Sequence, residues 1–76
     1  MARKLHWYEK FRRCRVDAGL SLSQAVKLLY EDCKIHMHKA NLRKVEVGLS
    51  DIPVTKFKAL CKVYSADANW VLDLKE

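Results

Sequence analysis

The sequence predicts a small all-α protein. Half of the 76 residues are apolar, and the chain has only two glycines and one proline, a composition typical of a compact folded protein. Apolar side chains recur every three or four residues along most of the chain, which is the period of an amphipathic α-helix. Residues 1–76 are expected to form one domain, because a chain of this length can bury only one small core.

The first helix is expected over about residues 4–18. Trp7, Phe11 and Cys14 recur at helical spacing and mark its buried side. Gly19 follows, and glycine readily adopts the left-handed backbone conformation that ends many helices. The helix should therefore stop just before Gly19.

The second helix is expected to begin after Ser21. Ser21 is a favourable N-cap residue and Gln24 stands three residues later, so the two side chains can form a capping box. No glycine, proline or asparagine interrupts residues 30–34. The helix should therefore extend to about Cys33 before the chain turns near residues 34–37.

The third helix is expected over about residues 38–47. Leu42, Val45 and Glu46 share one side of a helix wound at about 100° per residue, and Gly48 is placed to end it. One side of this helix should therefore be held by the protein while the other faces a partner.

Two further helices are expected in the C-terminal part. Ser50 or Asp51 can cap the fourth helix, and Pro53 suits its first turn. Its apolar side is expected to consist of Val54, Phe57, Leu60, Cys61 and Tyr64. Asp67 can cap a last helix, whose apolar residues are Trp70, Val71 and Leu74.

Positive charge is concentrated in the N-terminal part of the chain. Residues 1–45 contain eleven Lys/Arg and four acids, whereas residues 46–76 contain four Lys and five acids. The basic part is expected to face a polyanion, and the C-terminal part is free for self-association. A membrane surface is not favoured, because no long amphipathic helix with bulky apolar residues is present.

The most basic segment runs from Lys34 to Lys44. It contains four Lys/Arg, two His and one Asn, and no acid. In the third helix, four residues lie away from the apolar side: Ala40, Asn41, Arg43 and Lys44. An α-helix fits the major groove of DNA, and Lys, Arg and Asn bind phosphates and base edges. The segment therefore predicts a DNA-reading helix; the alternative is an ordinary solvated surface.

Individual roles follow from position on this helix. Lys44 is expected to reach a guanine edge, and Ala40 to allow close approach or to touch a thymine methyl group. Arg43 and Asn41 are expected to divide between bases and phosphates, and Lys39, in the first turn, can do either. Two histidines precede the helix: His38 is expected as its N-cap or as a phosphate contact, and His36 as a loop residue near DNA, unless both are simply exposed.

No cofactor, metal or small-molecule effector is expected. Cys33, His36 and His38 have a C-x2-H-x-H spacing, but a structural zinc site usually needs four ligands and no second close pair is present. Three widely spaced cysteines do not form a disulfide framework, which suits a reducing compartment. No nucleophile paired with a base, no paired carboxylates and no Gly-rich phosphate loop is recognisable, so an enzyme is not expected.

A cytoplasmic location is expected. No apolar run approaches the roughly 20 residues that a membrane-spanning helix requires. The first four residues, Met-Ala-Arg-Lys, lack the apolar region of a secretory signal.

Taken in order, these segments resemble the lambda-repressor-like (Cro and phage-repressor) helix-turn-helix family. The resemblance covers about residues 11–72. It depends on Arg15-x-x-x-Gly19-Leu20-Ser21, on Leu42-Arg43-Lys44-Val45-Glu46-Val47-Gly48, on Ile52-Pro53, and on Leu60-Cys61-Lys62-Val63-Tyr64-Ser65-Ala66-Asp67-Ala68-Asn69-Trp70-Val71-Leu72. It implies a compact five-helix domain whose third helix enters the major groove, with dimers that bind two half-sites.

The resemblance also implies roles for individual residues, and the chain departs from the family pattern in two places. Arg15 and Glu46 are expected to form a structural ion pair that orients the third helix. The connection between Leu29 and Leu42 is longer than the usual tight turn. Leu22 stands where many relatives place a phosphate-binding glutamine. The possible phosphate contacts are therefore Ser23 or Gln24 in the second helix, together with Lys34 and His36 in the connection.

The sequence therefore predicts a sequence-specific DNA-binding transcriptional regulator, a Cro-type phage or mobile-element repressor that binds an inverted repeat as a homodimer. The last helix is the expected dimer contact, through Trp70, Val71 and Leu74. The alternatives are an antitoxin or a helical protein-interaction module that binds a partner through the C-terminal half. RNA is less favoured, because residues 34–44 have no aromatic side chain to stack on bases.

Overall fold

Five helices follow one another along residues 5–72, the part of the chain that this computed structural model describes, and no strand occurs among them. The helices are α1 (Trp7–Asp17), α2 (Leu22–Cys33), α3 (Lys39–Glu46), α4 (Val54–Tyr64) and α5 (Ala68–Leu72). The predicted all-α class is confirmed. Within the same residues, no helix combines the length and the apolar character needed to cross a bilayer.

The N-terminal boundaries of α1 and α2 are set by local hydrogen bonds. α1 begins at Trp7, later than predicted, because His6 has an extended backbone and its N–H donates to the Glu9 carboxylate at 2.8 Å. At α2 the predicted capping box is present. The Gln24 N–H donates to Ser21 Oγ at 3.1 Å, and the Ser21 N–H donates to Gln24 Oε1 at 2.8 Å.

α2 and α3 end near the predicted positions. α2 stops at Cys33, and Lys34 takes a left-handed conformation with φ of 57°. α3 stops at Glu46, and Gly48 has φ of +82°. The Gly48 N–H donates to the Val45 carbonyl, and the next N–H along the chain donates to the Lys44 carbonyl. These two bonds satisfy carbonyls that the helix leaves free at its end.

The predicted caps of the last two helices have different outcomes. Neither Ser50 nor Asp51 caps α4, because the Ser50 hydroxyl donates to the Asp51 carbonyl instead. Pro53 is the N-cap residue, and its carbonyl accepts the Phe57 N–H at 2.9 Å. At α5 the predicted cap is present: Asp67 Oδ1 accepts the Asn69 N–H at 3.0 Å.

Each of the five helices contributes at least one buried apolar side chain to the core. Phe11 is at its centre, with its ring centroid 4.9 Å from that of Phe57 and 5.8 Å from that of Tyr64. The other buried apolar residues are Ala25, Leu29, Leu42, Val45, Leu60, Cys61 and Val71. α1 contacts α3, α4 and α5, while α2 contacts α3 and α4.

Two expected apolar positions lie outside this core. Val54, in the first turn of α4, is 66% exposed, and Trp70 is 48% exposed. Val71, the residue after Trp70, is fully buried and anchors α5. The apolar positions in the middle of these helices were therefore predicted correctly, whereas Val54 and Trp70 are covered only in part by neighbouring residues.

Replacing Gly48 by alanine is expected to destabilise the protein by about 1 to 3 kcal/mol. An added Cβ would lie 2.7 Å from Cζ of Tyr8, and the positive φ disfavours any L side chain. Gly19→Ala is the matched control, because Gly19 has a similar φ of +76° but nothing within 4 Å of the added atom. Urea denaturation should show the larger loss for Gly48→Ala. Equal losses would contradict a role for the Tyr8 contact.

The free energy of unfolding is expected to fall in alkaline solution. Burial raises the pKa of the Cys61 thiol to about 11, whereas a thiol in an unfolded chain ionises near pH 8.5. The folded state therefore binds this proton more tightly, so its stabilising effect is complete below about pH 8 and declines as the pH rises towards 11. Burial raises the pKa of Tyr64 as well, which acts in the same direction.

Urea denaturation at about pH 7.5 and about pH 10 measures this dependence. The natural chain should lose more stability between the two conditions than a Cys61→Ala variant, which keeps Tyr64 and lacks the thiol. Identical losses in the two proteins would show that Cys61 does not titrate as expected.

Candidate nucleic-acid interface

One side of α3 packs against the core, and the other side is exposed to solvent. Leu42 is fully buried and Val45 is 1% exposed, both within the core. Glu46 is also buried, at 4% exposure. The predicted DNA-contacting residues of this helix are all exposed: Lys39, Ala40, Asn41, Arg43 and Lys44. The structure therefore brings these five residues together on one open surface, called here the α3 face.

A buried ion pair connects α3 to α1. Arg15 Nε lies 2.9 Å from Glu46 Oε2, and Arg15 Nη2 donates to Glu46 Oε1 at 3.0 Å, so the contact is bidentate. Arg15 Nη1 also donates to the Leu20 carbonyl at 2.7 Å. The predicted pair is present, and one guanidinium ties α1, the turn before α2 and the last residue of α3 together.

The pair also determines the charge of the α3 face. Glu46 is the only acid in α3, and it is buried against Arg15. The side-chain hydrogen bond that Arg15 donates to Glu46 raises the pKa of Arg15 further, so the guanidinium keeps its positive charge beside the Glu46 side chain. The outward side of α3 is left with the cations Lys39, Arg43 and Lys44 and no acid.

The beginning of α2 lies beside the α3 face. A shallow cleft separates the two helices, lined by Ser21, Leu22, Ser23, Lys39, Ala40 and Arg43. Ser23 is thus placed next to the first turn of α3, as a shared phosphate contact requires. Gln24 is exposed as well, but its side-chain oxygen accepts the hydrogen bond of the cap.

Arg12 belongs to the same basic surface. The sequence named it only as one of four basic residues that could contact phosphate, form an N-terminal arm or serve as solubility charges: Arg3, Lys4, Arg12 and Arg13. With Arg15, Leu22, Arg43, Glu46 and Val47 it lines a depression between α1 and α3. The available signal was spacing: Arg12 precedes Arg15 by three residues, so the two share a side of α1. Arg12 therefore extends the cationic area of the α3 face towards α1.

The basic residues that lead into α3 are also exposed: Lys34, His36 and His38. His38 is the N-cap residue of α3 but makes no side-chain capping hydrogen bond. His36 and Lys34 lie against the ring of Tyr30, a residue of α2 that the sequence did not single out. Among residues 5–72, no group of three His, Cys, Asp or Glu side chains is arranged to hold a metal ion.

The predicted dimer residues are placed differently from one another. Val71 is fully buried in the core, so it exposes no side chain for a dimer contact, and the dimer contact of this helix stays a prediction. Trp70 is about half exposed and Lys10 covers part of it, with the ammonium 5.3 Å from the ring centroid. Leu74 lies outside the described residues.

An apolar groove lies close to α5. Its lining residues come from α1, from the segment before α4, and from α4 and α5: Trp7, Ile52, Val54, Phe57, Ala68 and Leu72 are the apolar ones. Asp51, Lys58 and Asn69 add polar groups to it. This apolar groove, unlike Val71, is open to solvent.

Chemically, the α3 face and its surroundings offer positive charge and hydrogen-bond donors on one convex helix. Such an arrangement suits binding of a polyanion with a groove, because a convex element must enter a concave partner. No protein-family model, no curated protein and no solved structure matches this chain.

Proposed function

We propose that this chain is a sequence-specific DNA-binding transcriptional regulator of the lambda-repressor-like type, which reads the major groove with α3. Acting as a homodimer on an inverted repeat, it would cover a promoter and exclude polymerase. The family resemblance motivates the repressor role, and the geometry of the α3 face supports the mode of binding.

The observation that carries this proposal is the division of α3 into two sides. Leu42 and Val45 are buried while Lys39, Arg43 and Lys44 are exposed, and the only acid of the helix is neutralised by Arg15. The pair makes sense if the direction of α3 matters to the partner.

Duplex DNA fits this surface better than a protein or a single strand. The major groove is about 12 Å wide and admits one α-helix with its side chains. Lys44 and Ala40 lie on the open side of α3 and would face base pairs, whereas Ser23 and Arg12, on either side, would face phosphates.

The dimer contact is assigned to the apolar groove near α5. Val54 and Leu72 are exposed there, at 66% and 39%, and Trp70 stands nearby on α5. A second copy packed in this groove would cover apolar surface that a single copy leaves in water. The groove is also the observation that favours the second candidate, an antitoxin or a protein-interaction module that binds a partner protein there.

Selection of bound sequences from a random duplex pool tests the proposal. We expect enrichment of a two-fold symmetric motif, because each copy of a symmetric dimer reads one half-site. On the selected duplex, the logarithm of the binding constant should fall linearly with that of the salt concentration, with a slope of about 0.9 for each phosphate neutralised.

The alternatives give different results. Enrichment of an asymmetric motif would overturn the dimer and leave the DNA-reading helix in place. No enrichment, together with no binding to duplex in dilute buffer, would exclude DNA and favour the protein-interaction module.

A further inference from the structure

The connection between α2 and α3 packs against the core and does not project as a free loop. Burial alternates along its five residues: Lys34, His36 and His38 are exposed, whereas Ile35 and Met37 are partly buried and packed against the core. These two apolar side chains attach the segment to the core. The strap, residues 34–38, therefore presents its basic side chains in a row on the solvent side.

Tyr30 organises the outer surface of this strap. It belongs to the last turn of α2, and 45% of it is exposed. The ring centroid of His36 lies 4.3 Å from that of Tyr30, and the Lys34 ammonium lies 5.6 Å from the same centroid. A ring attracts a cation over its face, so Tyr30 limits the positions that the Lys34 side chain adopts. The Lys34 N–H also donates to the Tyr30 carbonyl, at 2.8 Å.

The two acids that follow Tyr30 make no direct contact with this cluster. Glu31 and Asp32 follow Tyr30 in α2 and are exposed. At about 100° per residue, Glu31 points to the side of Tyr30 and Asp32 points almost opposite to it. Among the described residues, no ion pair or hydrogen bond joins either acid to Lys34.

If α3 lies in the major groove of DNA, the strap must lie at the edge of that groove. An α-helix with its side chains is about 10 to 12 Å across, and the major groove is about 12 Å wide. A helix of this size fills the groove, so the chain that leads into it must pass along the phosphates at the edge. His38 is the N-cap of α3, and the strap is continuous with Lys39 on the α3 face.

We propose that the strap is a second phosphate-binding edge, in which Tyr30 positions Lys34 against the DNA strand that borders the site read by α3. The inference depends on the proposed DNA-binding function and extends it. Tyr30 acts through Lys34 and is a positioning residue. The phosphate contact itself belongs to Lys34, with His36 and His38 available as hydrogen-bond donors beside it.

Binding titrations on the selected duplex at about 50 to 200 mM salt and about pH 8, where free imidazole is mostly neutral, test this inference. Lys34→Gln should lower the magnitude of the salt slope by about 0.9, the value for one phosphate. Lys34→Arg should keep the slope. Lys62→Gln is the matched control, because Lys62 is an exposed lysine in the last turn of α4 and should leave the slope unchanged.

Two further variants isolate the positioning role of Tyr30. Tyr30→Leu removes the ring and should lower the slope as Lys34→Gln does, whereas Tyr30→Phe keeps the ring and should preserve it. The double variant Tyr30→Leu/Lys34→Gln should lose no more than either single change, because both act on the same contact.

The possible failures are distinguishable. If the natural chain binds the duplex but Lys34→Gln leaves the slope unchanged, the strap does not contact phosphate and only this inference is overturned. An equal change with Lys62→Gln would also overturn it, because net charge alone would then explain the effect. If the natural chain binds no duplex, the proposed function fails and the inference fails with it. Thermal unfolding of each variant verifies that the fold is kept.

Discussion

Glu46→Gln is expected to lower the free energy of unfolding by about 3 to 5 kcal/mol, the loss typical when one partner of a buried ion pair is removed. Glu46 is 4% exposed and accepts two hydrogen bonds from Arg15. Glutamine has nearly the same shape, so packing is kept, but the Arg15 guanidinium is left in a buried site without its counter-charge. Urea denaturation followed by circular dichroism measures the loss.

Double substitution separates this charge effect from a loss of packing. Arg15→Met/Glu46→Gln removes the uncompensated charge and should be more stable than Glu46→Gln alone, because a buried charge without a partner costs more than a buried neutral amide without one. A denaturation midpoint in Glu46→Gln equal to that of the natural chain would show that the pair contributes little. DNA binding by the double variant then reports whether the pair is needed to orient α3.

Lys44→Ala is expected to weaken binding to the selected duplex by about 1 to 3 kcal/mol, roughly 5- to 150-fold in Kd. Lys44 is exposed on the α3 face and packs against nothing in the core, so the fold should be unaffected. A base contact carries sequence information. The loss should therefore be concentrated at one base pair of the half-site, and discrimination there should weaken.

Arg43→Ala and Lys62→Ala provide the comparison for Lys44→Ala. If Arg43 binds phosphate, its removal weakens binding to all sequences about equally and lowers the salt slope. Lys62, on α4, should have no effect beyond its charge. A Lys44→Ala variant with natural affinity and natural sequence preference would contradict the assignment of Lys44 to a base edge.

Local sequence patterns were sufficient for most of the helix boundaries. Three signals that begin or end helices depend only on atoms within a few residues, so they can be inferred without knowing the fold. They are the capping box of Ser21 with Gln24, the positive φ of Gly48 and the Asp67 cap. The N-cap predicted wrongly at α4 also depends on neighbouring residues: the Ser50 hydroxyl donates to the Asp51 carbonyl, and Pro53 is the N-cap residue. Several polar residues before a helix can compete for the cap, and the sequence does not rank them.

The candidate site could be predicted only in part. The α3 face follows from helical period and charge, and the Arg15–Glu46 contact followed from the family resemblance rather than from any local pattern, since 31 residues separate the partners. The sequence did not separate Arg12 from the neighbouring cations and did not name Tyr30, because the position of each in the site depends on a residue distant in the chain or on the path of the connection. Arg12 shares a depression with Arg43, and the ring of Tyr30 lies against that of His36.

By itself the sequence determined that the chain is helical, where most helices begin and end, and which side of α3 is apolar. Only the tertiary structure decided which apolar residues are covered, burying Val71 while leaving Trp70 and Val54 in solvent, and how residues 34–38 are held. The physical reason is the range of the interactions. Caps and helical period act over three or four residues, whereas burial depends on which distant segments reach a given side chain, a property of the packed chain as a whole.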